Sequence, residues 1–382
     1  MYLYSGKKDI STRPALLPVP LPALPLLCLL AALILLTGGC AGKSVAADDG
    51  VAAMEIGATP TPLPTPVSTP IATPEPTPEP VPTPEPFADS GFILPDPSVR
   101  PVAVMIDNEG DRPLPQAGIR QAQIVYEVLT EFKITRYMAI FWGSMPEMMG
   151  PVRSSRHYFL DYAMEYDAVY THYGWSPQAQ RDIPKLHIQN INGLVNGDAF
   201  WDTDKNRNNW QDSFTSGERV TAQIAKWKYR TEPKQVFPFQ YAETFMVPAM
   251  GEQAVKIDLT YGKSFTAAYS YNPQTNLYDR TRNGEAQMER NTGLQVAPCS
   301  ILVLVVPSAR ISGDDKDRIN VGTVGSGMGW YVTGGKSRVI TWEKTARDAQ
   351  TVYQFEDGSP LLLNPGQMWI EVVPTAGTVV FG

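Results

Sequence analysis

Arg153 and Arg156 bracket Ser154-Ser155, directly after Gly150-Pro151, where a helical pattern begins. Two guanidiniums beside the open amide hydrogens of a helix start would form an anion pocket. Asp107-Asn108 follow directly on the apolar run Pro101–Ile106. Polar groups at the carboxyl end of a buried strand stand where α/β sheets usually hold ligands. Glu127 interrupts the apolar segment QIVYEVL, Glu131 follows it, and Arg136 opens the next apolar run. His172 and Ser176 lie in the turn sequence THYGWSP. An imidazole titrates near neutrality, so His172 is the side chain best suited to acid–base work. Three readings fit. Asp107, Asn108, Glu127, Arg136, Arg153, Ser154, Arg156, His172 and Ser176 could line a site for a polar or anionic ligand. Alternatively, Asp107 or Glu127 could act as base in a hydrolase, with His172 assisting and the arginines stabilising negative charge. In the third reading Arg153 and Arg156 are consumed by Glu127, Glu131 or Asp161, and the chain is a protein-interaction scaffold.

Other chemistries lack their residues. There is no Gly-x-Gly-x-x-Gly opening a helix, no phosphate loop and no His-Glu-x-x-His. With three histidines and three cysteines in 382 residues, a His-rich metal site or Cys–His pair is hard to build, and no metal or cofactor is expected. Gly322–Gly329 contains Gly325-Ser326-Gly327, but a nucleophile elbow needs a helix to follow. Here a strand candidate follows, so the stretch reads as a glycine loop. A net charge of −7 offers no footprint for nucleic acid.

The elements that would position these groups suggest an α+β chain. Pro101–Ile106, Gln123–Leu129, Arg136–Trp142 and Asp167–His172 read as strands, with helices expected over Gln116–Ala122, Ser154–Tyr166 (capped by Ser154 or Ser155) and Gly217–Lys228. Strands alternating with helices predict an α/β layered domain over 97–236. Beyond it helical signals fade. Eight short strand candidates run from Lys256–Thr260 to Met368–Val373, with hairpin signals at Asn283-Gly284 and Asp357-Gly358. They predict a β-rich domain over 237–382, as a sandwich or open barrel.

The N-terminal segment predicts export. Lys7, Lys8 and Arg13 precede an eleven-residue apolar run, Leu26–Leu36, which fits a secretory signal and is shorter than a membrane span. Thr37-Gly38-Gly39-Cys40 ends it. The reading is a lipoprotein-type signal over 1–39 with Cys40 lipidated, anchoring the chain to the outer face of the bacterial cytoplasmic membrane. Simple cleavage with secretion and retention as a short anchor are the alternatives. After Cys28 and Cys40 only Cys299 remains, so no disulfide is expected. Residues 40–96 read as a disordered Thr/Pro/Glu-rich stalk. Twelve of the 35 prolines fall within 59–86, and polyproline II at about 3.1 Å per residue would extend that tract by roughly 85 Å. Such a spacer would lift a domain into a cell wall, where a wall glycan or peptide is the expected partner. Oligomeric state is not legible.

Together, RPVAVMIDN at 100–108, ITRYMAIF at 134–141, GPVRSSR at 150–156 and HYGWSPQA at 172–179 resemble the N-terminal domain of the YerB-like bacterial lipoproteins, the DUF3048 type. Gly329-Trp330-Tyr331, ITWEK at 340–344 and LNPGQMWI at 363–370 resemble its C-terminal domain. The resemblance implies a surface lipoprotein with two adjoining domains and supplies no reaction. Histidines of the family pattern are replaced around Trp210-Gln211-Asp212 and near Gln287 and Glu289. A binding role tolerates such losses better than catalysis does.

Overall fold

The computed structural model describes residues 92–131, 133–204, 212–262 and 265–382. The signal segment, Cys40, the proline-rich tract and Trp210-Gln211 lie outside the described residues.

The chain is an α+β protein, rich in strands, built on a mixed eleven-stranded sheet. Its first strands are β1 (Val102–Asp107), β2 (Ile124–Leu129) and β3 (Thr135–Phe141), every residue of which is buried. Continuous burial explains why they read as unbroken apolar runs: both faces of the sheet are covered. β3 pairs antiparallel with both β1 and β2. β1 then pairs parallel with β4 (Val169–His172), and β4 with β5 (Asn190–Asn192). On its other side β2 pairs parallel with Met368–Pro374, which lies parallel to Ser300–Val306. The strands Gly325–Thr333, Lys336–Lys344 and Val352–Phe355 complete the run, and the eleventh, Glu252–Gln253, pairs with Lys336–Lys344 off it. The C-terminal strands therefore extend the sheet begun by β1–β5. The expected sandwich or barrel is not what they build; five strands form a second sheet, ordered Glu285–Ala286, Leu277–Arg282, Thr266–Asn272, Lys256–Thr260 and Thr378–Phe381.

Helix α1 (His157–Glu165) buries Tyr158, Phe159, Leu160, Tyr162 and Ala163. The Tyr162 ring stacks on Tyr126 of β2 at 4.7 Å, so α1 covers the face to which Tyr126 points. Neighbouring β2 residues point the other way, and there Glu127 meets Arg280 of the second sheet. The C-terminal half clasps α1 through two groups of ions. Lys344 and Glu165 pair at 2.9 Å in full burial, and Arg347 bridges Asp161 and Asp182. No helix among the described residues is long and apolar enough to cross a membrane.

Several local expectations are corrected. Gln116–Ala122 is not helical. Gly118 adopts a φ of +84°, and its amide donates to Glu289 Oε1 at 2.6 Å. Neither Ser154 nor Ser155 caps α1, whose N-cap is Arg156; Ser154 Oγ donates to the Tyr173 carbonyl, and Ser155 bridges to Trp175. Helix α2 (Pro177–Lys185), not expected from the sequence, begins on the last residue of the turn read over 171–177, with Ser176 as its cap. Helix α3 (Gly217–Lys226) follows expectation, two residues short. The glycine stretch is half strand: a Cβ on Gly329 would sit 2.3 Å from the Val303 carbonyl oxygen, and one on Gly327 would sit 2.7 Å from Trp342 Nε1. These glycines let neighbouring groups approach closely. Asn283-Gly284, both at positive φ, make the expected hairpin turn.

Candidate functional site

An open cavity of about 420 Å³ lies where β2 ends, β3 begins and the chain approaches α1. Among the described residues, Lys133, Arg136, Arg153, Arg156, Lys316 and Arg318 line it, with Glu109, Glu131, Asp317 and the apolar Ile134. Six cations thus face three acids, on a chain whose net charge is −7.

The floor is built from two buried guanidiniums. Arg136 is 1% exposed and Arg156 9%. Arg156 donates through Nε to Glu131 Oε1 at 2.7 Å, and its Nη2 reaches the same oxygen. Arg136 Nη2 lies 3.8 Å from Glu131 Oε2, and its Nη1 donates to the Ser154 carbonyl at 2.8 Å. Both arginines therefore depend on one carboxylate. Burial acts to raise the Glu131 carboxyl, but Arg136 and then Arg156 outweigh it and hold it at about 2. Burial, followed by repulsion from Arg136, pushes the Arg156 guanidinium below its ordinary value. Arg136 Nε and Glu131 Oε2 are buried without a hydrogen-bond partner among the described residues. Unsatisfied buried groups are rare in folded proteins.

Arg153 stands beside this pair, with Nε 3.1 Å from Asp107 Oδ2 and Nη2 3.3 Å from Glu109 Oε2. Burial lowers its guanidinium and Asp107 raises it. Lys133 and Lys316 form no ion pair with the described residues and are exposed at the rim. Lys316 and Arg318 reach the cavity from a turn held by Asp314, which accepts from the Lys316 and Arg318 amides and pairs with the Arg318 guanidinium at 2.7 Å.

Of the nine residues expected in the site, Arg136, Arg153 and Arg156 line the cavity, Asp107 backs Arg153, and Ser154 contributes a carbonyl to Arg136. Four are elsewhere. Asn108 is fully buried, and its amide donates to Thr135 Oγ1 and Glu127 Oε1. Glu127 joins a sealed cluster instead: it pairs with Arg280, whose guanidinium lies 4.3 Å from the Trp369 ring. Glu371, the register partner of Glu127 on the adjacent parallel strand, accepts from the Tyr261 and Tyr269 hydroxyls. Arg280, Glu127 and Glu371 are all 0% exposed. Burial raises Glu127, Arg280 opposes this and Glu371 adds to it, leaving the carboxyl at about 8. His172 is also sealed, its Nδ1 2.7 Å from the Gly174 carbonyl and its Nε2 3.1 Å from Asn190 Oδ1. Burial pushes the imidazole down to about 4, so it is neutral and inaccessible at neutral pH. Ser176 accepts the Ala179 amide at the start of α2. Ser176→Ala is expected to cost about 1 kcal/mol of stability and leave anion binding unchanged, as thermal melts with and without phosphate would read.

Gln287 and Glu289 are structural as well. Gln287 accepts from Arg280 and Glu289 accepts from Gly118. Cys299 is buried, and burial pushes its thiol up to about 12, away from nucleophilic use. Sequence reasoning missed Lys133, Lys316 and Arg318 as site residues. The charged run Asp314-Asp315-Lys316-Asp317-Arg318 reads as a solvated turn, and only the tertiary fold brings it to the arginines.

Comparison with known proteins matches this architecture. Residues 93–230 match the family described as "Protein of unknown function (DUF3048) N-terminal domain", and residues 257–370 match the corresponding C-terminal domain. The chain is 30% identical over 277 residues to a Bacillus subtilis protein described as "Putative lipoprotein YerB", covering 72% of this chain and 81% of that one. The crystal structure of YerB from Bacillus subtilis superimposes with a TM-score of 0.65 at 28% identity, over 75% of this chain and all of that one. The chain belongs to the DUF3048 family.

Proposed function

We propose that the chain is an exported lipoprotein, anchored through lipid on Cys40 to the outer face of the bacterial cytoplasmic membrane, which binds an anionic ligand in the envelope. The kinship with YerB supports the lipoprotein part. The observation that carries the binding part is that Arg136 and Arg156, both nearly sealed from solvent, share the single carboxylate of Glu131. A buried cation without a full counter-charge is costly, and an arriving anion removes that cost. The site favours binding over hydrolysis. Glu131 is held at about 2 by its arginines and is a poor base at neutral pH. Asp107 is engaged with Arg153, and His172 is walled off from the cavity. The scaffold reading loses support because the arginines border an open cavity and Arg136 Nε has no hydrogen-bond partner among the described residues.

The test is thermal stabilisation of the full chain by inorganic phosphate at constant ionic strength. Arg136→Gln leaves Arg156 and Glu131 as a balanced pair, and the stabilisation is expected to fall at least about tenfold in apparent affinity, the effect of about 1.4 kcal/mol. Glu131→Gln removes the internal competitor and is expected to tighten phosphate binding. No response to phosphate in the parent protein, or equal responses in all three, would remove the reading.

A further inference from the structure

The composition of the cavity says which anion it suits. This step rests on the anion-binding reading above. Among the described residues that line the cavity, six are cations and Ile134 is the one apolar wall. Among the described residues that line the cavity or form the ion pairs behind it, Asp107, Asp314 and Arg310 included, seven cations meet five acids. The lining cations come from four separate segments. They come from the floor on β3, the segment before α1, the turn between β2 and β3, and the distant turn at 314–318. A planar carboxylate matches one guanidinium fork. A tetrahedral phosphate presents oxygens in several directions and can be approached from floor and rim together.

We propose that the site takes a phosphate ester carrying two negative charges, held between the Arg136–Arg156 floor and the Lys133 and Lys316 rim. Two sources share this chemistry: a terminal phosphate monoester, dianionic above its second pKa of about 6, and two successive phosphodiesters of a polymer. The rim draws on both family-defined regions, since Lys133 lies in the N-terminal match and Lys316 in the C-terminal one. One ligand would therefore read both.

The experiment is calorimetric titration of the full chain with glycerol phosphate, a short glycerol-phosphate oligomer, inorganic phosphate and succinate at one ionic strength. A phosphate ester is expected to bind at least about tenfold more tightly than succinate, and the Lys133→Ala/Lys316→Ala double variant to lose about tenfold toward it. Preference for glycerol phosphate, with affinity falling as pH drops below about 6, assigns a monoester. Preference for the oligomer, without that pH dependence, assigns the polymer. Binding of inorganic phosphate with succinate equal to both esters, or esters indifferent to the double variant, would overturn this proposal while leaving the anion-binding reading intact. Failure of every anion to bind would overturn both.

Discussion

Replacing Arg280 with methionine is expected to destabilise the protein by about 3–5 kcal/mol, the range seen when one member of a buried ion group is removed. Among the described residues the guanidinium is the only cation paired with Glu127 and Glu371, and all three side chains are sealed. Methionine preserves much of the apolar stem near Trp369 but leaves two carboxyls side by side on adjacent strands. The effect should be read as a shift in urea midpoint at unchanged slope, which separates lost stability from a changed denatured state. If the variant does not fold, Arg280→Met combined with Glu127→Gln and Glu371→Gln decides. Removing the charges together is expected to restore most of the loss, because burying uncompensated charge is what makes the single change severe. A single variant within about 1 kcal/mol of the parent would show that the cluster carries no such charge burden.

That cluster shows how much of the molecule could be read in advance. β1, β2 and β3 were legible because strands buried on both faces must be apolar along their whole length. Glu127 stood out as a carboxylate inside such a run. Its counter-ion lies 153 positions away, on another sheet, and no local pattern reports that distance. The same limit hid the sheet itself. Pairing of β2 with Met368–Pro374 is parallel and spans more than 200 residues, so the C-terminal strands looked like a separate module. In the candidate site, guanidiniums at 136, 153 and 156 were legible as residue types. The contribution of Lys316 was not, because a charged turn has the same sequence whether or not a cavity lies beside it. His172 misled for a physical reason: the ring packing around it, Tyr170 at 5.1 Å and Trp175 at 5.8 Å, belongs to a sealed interior.

The sealed carboxyl also predicts how stability follows pH. Glu127 titrates at about 8 in the folded protein and near 4.5 in the unfolded chain. Between those values the native state holds a proton that the unfolded state has released, so stability falls as pH rises, by up to about 1.4 kcal/mol per unit. His172 acts in the opposite sense. Its native value of about 4 lies below the ordinary 6.5, so the unfolded state binds more protons between them and stability rises with pH there. The two slopes oppose each other from about 4.5 to 6.5, and the Glu127 contribution stands without the histidine's opposition from 6.5 to 8. Glu127→Gln should isolate it. Like the neutral acid, glutamine keeps one bare oxygen: facing Arg280, which donates to Oε2, it puts the amide on the side where Thr135 and Asn108 approach Oε1, with the Thr135 hydroxyl able to accept. The variant is expected to match the parent within about 1 kcal/mol at pH 5, where both are neutral at this position. It should be the more stable by several kcal/mol at pH 9, where the parent must bury the Glu127 carboxylate. Urea midpoints of both proteins from pH 5 to 9 provide the measurement, and their difference cancels every other titrating group to the extent that it is not coupled to position 127. Parallel curves would mean that Glu127 carries its charge throughout, with Arg280 sufficient to hold it ionised.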